Sequence, residues 1–387
     1  MNRGNASYPR EQIRIFYLQS QFGIAIIPNL LVFLVNSLGM RTVFLTGATG
    51  FIGSKLVEIL LERGFHVRAL SRQDMQSASL DRNAMLKRIQ TNPNFHFVQG
   101  NITDVESLRR GMEGCNYVFH LAAYAKNWAA DPAVYTQMNV DAARNVFQIA
   151  SEFQVEKIVW TSTVVTFGPT KSGEIRDENS SPRLLDTYFT EYERTKAIAE
   201  QEALCWAKDG LPLVIVNPTR VYGPGRLSEG NAVTQLVIDY ARGKSPFLPN
   251  RGVNIGNYGF VDDIALGHLL AMEKGRIGER YILGGENVSL REFFELLDKV
   301  TGKKHWKLSL LKIGPILFSW IQEKRARFFG IYPRITPGWV RTFLVDWAYS
   351  CEKAKRELGY APIPLRQGLE ITWNWINDNE TERQPQT

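Results

Sequence analysis

Residues 46–53 read T-G-A-T-G-F-I-G, and this stretch indicates the fold of the chain. They follow a short apolar run, Thr42 to Leu45, and precede a helical pattern from Ser54 to Arg63. The first glycine permits a tight turn, the second lets the backbone approach a phosphate, and the third lets helix and sheet pack closely. Free N–H groups at the start of such a helix attract an anion. The stretch therefore predicts a dinucleotide pyrophosphate site at the first strand–helix turn.

Short apolar runs alternate with longer amphipathic stretches along the chain, as in βαβ units around a parallel sheet. Further strands are predicted at His66–Leu70, Phe95–Gln99, Tyr117–Leu121, Lys157–Thr163 and Leu213–Val216. A helix is predicted from about Thr190 to Lys208, and the polar loop before it, Gly168–Thr187, has the length of a lid. The predicted fold class is α/β: a Rossmann doubly wound parallel sheet with a smaller, mainly helical C-terminal substrate lobe.

Four segments are predicted. Residues 1–40 form an N-terminal extension, 41–217 the Rossmann domain, 218–375 a substrate-binding lobe with strands returning to that domain, and 376–387 a polar tail. The extension carries no charged side chain from residue 15 to residue 40, yet Pro28 and Asn29 interrupt its apolar run. A weak membrane anchor, a disordered or non-native tail, and a true start at Met40 all stay open.

Composition indicates a globular, cytoplasmic protein. The chain has 387 residues, 44% of them hydrophobic, and a net charge of +7. Its three cysteines, Cys115, Cys205 and Cys351, form neither a C-x-x-C pair nor a complete disulfide framework, so no metal site is expected. Because no recognised nucleic-acid module accompanies the positive charge, nucleic acid is not an expected partner.

One window is strongly basic and aromatic. Residues 303–341 contain nine Lys or Arg residues against one acid, Glu323, and an apolar run from Leu308 to Ile321 crosses the window. Basic residues mixed with aromatics are typical of surfaces that lie on anionic lipid. A core-packed helix with a solvated basic rim is the alternative, and both interpretations stay open.

Five further motifs follow the predicted strands in a fixed order. They are Gly100–Asp104, His120–Ala123, Thr161–Thr163, Tyr192–Lys196 and Asn217–Pro218. With residues 46–53 they make the chain resemble the extended short-chain dehydrogenase/reductases, the NAD-dependent epimerase/dehydratase family, over about residues 41 to 375. The blocks Phe189–Lys196, Gly278–Leu283 and Trp347–Cys351 make it most similar to dihydroflavonol-reductase-like and farnesol-dehydrogenase-like enzymes.

Tyr192 and Lys196 are the expected proton-handling pair. Four residues apart on a predicted helix, they share one face. The resemblance implies that Tyr192 is the acid/base and that Lys196 lowers the pKa of its phenol and binds ribose hydroxyls. It also implies that Thr163 hydrogen-bonds the reacting oxygen, with Ser162 as the fallback.

The expected cofactor contacts extend over the carboxyl ends of the predicted strands. They are Gly47, Thr49, Gly50, Phe51, Ile52, Gly53, Arg72, Asn101, Ile102, Leu121, Ala122, Ala123, Thr161, Tyr192, Lys196 and Pro218. Ser71 and Arg72 occupy the place where NAD-selective sites carry an acid, and an arginine can pair with a 2′-phosphate. NADP(H) is therefore the expected cofactor, with NAD(H) as the alternative.

The expected reaction interconverts an alcohol and a carbonyl by hydride transfer, on a lipophilic substrate of prenyl, terpenoid, flavonoid or steroid type. A nucleotide-sugar epimerase or dehydratase with tightly bound NAD is the main rival. A cofactor-binding scaffold without turnover is the second. The expected partners are a small-molecule substrate, a membrane surface contacted peripherally, and a second copy of the chain, because members of the resembling family are often dimers.

Overall fold

The computed structural model describes residues 41–72, 89, 91–181, 183, 187–225, 231–310, 313–333 and 335–381. In chain order the strands are β1 Thr42–Thr46, β2 His66–Ser71, β3 Phe95–Gln99, β4 Tyr117–His120, β5 Lys157–Thr161, β6 Leu213–Pro218, β7 Arg220–Tyr222, β8 Phe247–Pro249, β9 Ile255–Phe260, β10 Arg280–Leu283, β11 Glu286–Ser289 and β12 Leu308–Leu310. Seven of them form one parallel sheet in the order β3-β2-β1-β4-β5-β6-β10. The order reverses between β1 and β4, the switch point at which doubly wound sheets bind ligands.

The helices are α1 Phe51–Glu62, α2 Val105–Met112, α3 Ala133–Thr136, α4 Ala142–Glu152, α5 Glu191–Lys208, α6 Ala232–Ala241, α7 Val261–Lys274, α8 Leu290–Thr301, α9 Ile313–Phe329, α10 Pro337–Thr342, α11 Glu352–Leu358 and α12 Leu365–Thr381. Side chains of α1 and α7 form a core with Val43 and Leu45 of β1, whereas α2, α4 and α5 pack around Phe44. Successive strand residues face opposite sides of a sheet, so helices cover both faces. The predicted fold class is confirmed.

A second, smaller core lies in the C-terminal half. Strands β7, β9 and β11 form a three-stranded sheet, and helices α6, α8 and α12 share a hydrophobic cluster with it. Strand β10 meanwhile pairs with β6 at the edge of the large sheet. The chain after Pro218 thus contributes strands to both the three-stranded and the seven-stranded sheet. This places C-terminal residues beside the carboxyl ends of the Rossmann strands.

The described part of the predicted lid, Gly168–Thr187, is fixed by contacts with the C-terminal half of the chain. Thr170 and Arg176 form isolated bridges with Asp346 and Tyr349. The buried carboxylate of Glu178 accepts a hydrogen bond of 2.7 Å from the backbone of β10. These contacts fix the described part of this loop against the C-terminal segment and against β10, at the edge of the seven-stranded sheet.

Several boundaries differ from prediction. Strand β5 stops at Thr161, because Thr163 caps a 3-10 turn, Val164–Thr166. The expected polar tail, 376–387, begins inside α12.

The predicted extension, 1–40, lies outside the described residues. Within the part of the chain that is described, none of the helices is both long and apolar enough to cross a bilayer.

Candidate active site

Helix α5 begins so that Tyr192 lies in its first turn. The Thr190 side chain caps the helix by accepting from the Glu193 N–H. Glu193 itself is buried and paired with Arg183 at 2.7 Å, which fixes the helix start against the loop before it. Lys196 follows one turn later on the same face, as the spacing predicts.

The Tyr192 and Thr163 hydroxyls form a hydrogen bond. Burial raises the pKa of Tyr192 to about 12, the bond to Thr163 opposes that rise, and the charge of Glu193 adds to it. The phenol is therefore protonated near neutral pH. Thr163 reaches it because the extended backbone between β5 and the 3-10 turn presents this side chain toward α5.

Ser162, the fallback, is engaged elsewhere. Its hydroxyl donates to the buried Glu200 carboxylate at 2.5 Å. The same carboxylate accepts from Asn217 at 2.7 Å and pairs with Arg280 at 3.2 Å. Of the two neighbouring hydroxyls, only that of Thr163 is directed to Tyr192.

Lys196 is almost fully enclosed, with 2% of its surface exposed. Its ammonium donates to the Thr161 carbonyl at 2.8 Å and lies 4.1 Å from the Trp160 ring centroid. Desolvation lowers the pKa of Lys196 to about 7, although the charge of Glu200 opposes the shift. In this structure the pKa of Tyr192 is governed by burial and Thr163, whereas the lysine was expected to lower it.

The glycine loop approaches strand β4 very closely. Gly47 has φ +83°, and a Cβ there would lie 2.8 Å from the Ala122 nitrogen. A Cβ on Gly53 would lie 2.1 Å from the Gly47 carbonyl oxygen, so α1 also rests directly on the turn. Because Gly50 offers no side-chain cap, the first N–H groups of α1 are left for an anion.

One cavity of about 770 Å³ joins these elements. The predicted residues that line it are Gly47, Gly50, Phe51, Ile52, Gly53, Leu121, Ala123, Thr161, Ser162, Thr163, Tyr192, Lys196 and Pro218. Thr49 and Ala122 are adjacent in sequence to lining residues but are not among them. The sequence predicts that residues 218–375 form the substrate-binding lobe, but it does not identify which of them form the opposite wall of the cavity. This wall includes Thr219, Arg220, Trp339, Phe343 and Trp347.

Three predicted adenine-side residues lie outside this cavity. Arg72 is exposed directly after β2. The Asn101 side chain accepts from the Thr103 N–H at 3.4 Å, closing a local turn. Ile102 is only 5% exposed and packs in the core around Phe44, so its side chain is not free to contact a ligand.

Comparison with known proteins identifies the family. Residues 43–284 match the model of the NAD dependent epimerase/dehydratase family. The chain belongs to this family. It is 33% identical over 341 residues to a putative dihydroflavonol 4-reductase of Synechocystis, covering 87% of this chain and 94% of that protein. It is 30% identical to sterol demethylase protein B of Methylococcus capsulatus, covering 87% and 98%.

A crystal structure of the protein gox2253 superposes with a TM-score of 0.72 at 34% identity, covering 88% of this chain and 98% of the other. The family is one of NAD-dependent enzymes, and the reductase among these relatives supports oxidoreductase chemistry for the chain.

Two buried histidines form hydrogen bonds with threonine hydroxyls at the carboxyl ends of the strands. His268 donates from Nδ1 to the Ile264 carbonyl at 2.7 Å, so its Nε2 accepts from the Thr161 hydroxyl at 2.9 Å. His120 contacts the Thr46 hydroxyl at 2.7 Å. Burial lowers the pKa of His268 to about 4 and that of His120 to about 3, so both stay neutral. Across the described residues, no group of His, Cys, Asp and Glu side chains could hold a metal ion.

The depressed pKa of Lys196 gives a testable stability profile in the ligand-free protein. Between pH 7 and about 10.5 the unfolded chain binds this proton and the folded chain does not, so raising the pH favours folding. The melting temperature of the wild type, relative to Lys196→Met, should rise between pH 7 and pH 10 and change little below pH 7. A difference that stays constant across this range in thermal scans would mean that Lys196 keeps its charge in the fold.

Proposed function

We propose that this protein is an NADP(H)-dependent oxidoreductase that interconverts an alcohol and a carbonyl. The observation that carries the proposal is the hydroxyl pair of Tyr192 and Thr163, with Lys196 one turn away, in the cavity that also contains the glycine loop. The loop fits a dinucleotide, since its close backbone approach and uncapped helix start suit a pyrophosphate. A bound nicotinamide would supply or accept the hydride.

The chain's own residues handle the oxygen and its proton. Thr163 and Tyr192 together hold a carbonyl oxygen, and Tyr192 donates its proton as negative charge develops there. A phenol with a pKa of about 12 is protonated at neutral pH, which is the form that reduction requires. Oxidation needs the phenolate, which a positive charge beside the phenol would favour.

Lys196 has two tasks in this proposal. By analogy with the family it binds the ribose hydroxyls of the cofactor, and its contact with the Thr161 carbonyl keeps it on the correct side of the cavity. Ribose hydroxyls and a cofactor phosphate would also restore polar surroundings to the amine, and this favours its charged form.

We propose a lipophilic substrate, because the wall opposite the glycine loop is largely apolar. Val164, Val165, Trp339, Phe343 and Trp347 line it. The names of the relatives, a dihydroflavonol reductase and a sterol demethylase protein, agree with such a ligand.

A nucleotide-sugar epimerase or dehydratase is the rival. Epimerases usually carry an acidic residue that binds NAD at the end of the second strand, where this chain has Ser71 and Arg72. Dehydratases carry an Asp-Glu pair after the residue that corresponds to Thr163, where this chain has Val164 and Val165. The scaffold alternative loses support because Thr163, Tyr192 and Lys196 are all present.

Helix α9 supports a membrane contact. Its small side chains, Ser319 and Ala326, face inward, while large apolar ones point outward, the reverse of a helix adapted to water. The exposed residues are Leu317, Phe318, Trp320, Ile321, Phe328 and Phe329, with Lys324, Arg325 and Arg327 between them. The mixture suits anionic lipid. Since α9 packs on α10, which contributes Trp339 to the cavity wall, we propose that lipophilic substrate enters from the bilayer.

Replacing Tyr192 with Phe removes the proton donor and leaves the glycine loop intact. We expect turnover of a lipophilic aldehyde to fall at least about 100-fold while the dissociation constant for NADPH stays within about threefold. Nicotinamide absorbance and fluorescence titration measure the two. Near-normal turnover in this variant would falsify the catalytic assignment.

Replacing Arg72 with Ala tests cofactor choice. We expect the NADPH Michaelis constant to rise about 10- to 100-fold and that for NADH to change little, because only NADPH has a 2′-phosphate to pair. Arg68→Ala is the matched control, since Arg68 lies on β2, which Arg72 directly follows, and donates instead to the Glu113 carbonyl. Equal effects of Arg72→Ala on both cofactors would rule out this contact.

The exposed face of α9 is tested by vesicle flotation of the full chain. We expect binding to phosphatidylcholine vesicles containing phosphatidylglycerol, weaker binding without it, and loss of binding in high salt. Phe328→Ser with Phe329→Ser should reduce binding at least about tenfold. A control with Ile175→Ser and Ile277→Ser, two equally exposed positions elsewhere, should bind normally. Undiminished binding of the Phe variant would contradict the proposal.

A further inference from the structure

Arg220 lines the cavity close to the reacting groups. It opens β7, three residues after Asn217, whose amide donates to the Thr163 carbonyl at 3.1 Å. Three residues of extended chain span at most about 10 Å, so the Arg220 backbone lies within that distance of Asn217. A ligand of moderate size can therefore reach both the Thr163 and Tyr192 hydroxyls and the Arg220 side chain.

The guanidinium of Arg220 has no anionic partner among the described residues. It donates to the Thr342 carbonyl at 3.1 Å and lies 4.7 Å from the Phe343 ring centroid. Tyr258 is beside it, with its ring centroid at 5.9 Å. Burial raises the pKa of this phenol, while the charge of Arg220 and a hydrogen bond from it oppose the rise, so the partner is a neutral hydroxyl. One backbone carbonyl and one phenol use only part of the five N–H donors of the guanidinium.

Two other arginines, unlike Arg220, form ion pairs with buried carboxylates. Arg183 pairs with Glu193 at 2.7 Å, and Arg280 pairs with Glu200 at 3.2 Å. Both of those carboxylates are therefore committed. A half-buried cation that remains unpaired at a cavity wall is costly unless a ligand supplies the opposite charge.

We infer that Arg220 forms a subsite for an anionic oxygen group, a carboxylate or a phosphate, on the substrate itself. The inference rests on the proposed function and narrows it: the substrate is amphipathic. Its apolar body packs on Trp339, Phe343 and Trp347, and its acid group pairs with the free edge of the guanidinium.

Matched aldehydes test the subsite. The probes are 4-phenylbenzaldehyde and two analogues that carry a carboxylate or a phosphate on the distal ring. Wild type should prefer each acidic probe over the neutral one in kcat/KM by about 10- to 100-fold, the range of a charge-assisted pair. Arg220→Gln should abolish this preference and leave the neutral aldehyde and NADPH affinity within about threefold.

Two further variants sharpen the result. Arg220→Lys keeps the charge and loses the planar fork, so it should preserve preference for a phosphate better than for a carboxylate if both bind. Arg68→Gln removes an arginine that also donates to a backbone carbonyl, yet lies outside the cavity, and should change no ratio. An equal loss on neutral and acidic probes in Arg220→Gln would assign Arg220 a purely structural role and overturn the inference.

Binding separates this inference from the proposed reaction. Calorimetric titration of the NADPH complex with the corresponding biphenyl carboxylic acid and phosphate needs no turnover. Acid binding that Arg220→Gln abolishes supports the subsite even if no aldehyde is reduced, an outcome that would remove the proposed function alone. Turnover of all three aldehydes without acid preference, in wild type, removes the subsite and keeps the function.

Discussion

The carboxylate of Glu200 is buried beneath the carboxyl ends of the central strands and accepts hydrogen bonds from both sides of the active site. Ser162 comes from the end of β5, Asn217 from β6, and Arg280 from β10. A buried carboxylate costs several kcal/mol unless it is fully bonded, so these elements cannot separate without exposing an uncompensated charge. Glu200 also lies one turn beyond Lys196 on α5. The same carboxylate therefore sets the position of the helix that carries Tyr192 relative to the strand end that carries Thr163.

The Rossmann half could be predicted because each of its features has a local signature. Strand and helix periodicities, the glycines of residues 46–53 and the four-residue spacing of Tyr192 and Lys196 all lie within short stretches of chain. The substrate-binding lobe was predicted as a segment, but the individual residues of the cavity wall between 219 and 349 could not be, because their position depends on contacts between residues distant in sequence. Glu200 was not identified as a buried residue of the site. On a predicted helix, an acid four residues after a lysine has the same spacing as an exposed ion pair, so the sequence does not reveal its burial. Thr163 was preferred over Ser162 only through the resemblance, since periodicity alone cannot tell which hydroxyl turns toward α5.

Desolvation is the dominant electrostatic effect in the ligand-free site. It raises the pKa of Tyr192 and lowers those of Lys196, His120 and His268, so that four titratable groups around one cavity all move toward their neutral forms near pH 7. The sequence suggested a lysine charge that activates a tyrosine. In the structure the ammonium of Lys196 is instead enclosed, and it contacts a backbone carbonyl and an indole ring. A bound ligand must therefore supply the polar surroundings that favour its charged form.

Arg220 differs from these groups because its guanidinium stays charged in any surroundings found in proteins. Arg220 provides a strong positive centre on the cavity wall, in a site where burial favours the neutral forms of Tyr192 and Lys196 and where Glu193 and Glu200 are paired with arginines. Such an arrangement orients a ligand electrostatically before any hydrogen bond to Tyr192 forms, because an apolar body alone can slide or invert against Trp339 and Phe343. An acid group at Arg220 removes that freedom and holds the carbonyl at the opposite end of the cavity. An amphipathic ligand of this kind would also gather at an anionic bilayer surface with its acid group in water, although like charge would oppose it there. On the proposed contact of α9 with anionic lipid, the basic residues of this helix would reduce that repulsion locally, and α9 and Arg220 would then act on the same class of substrate.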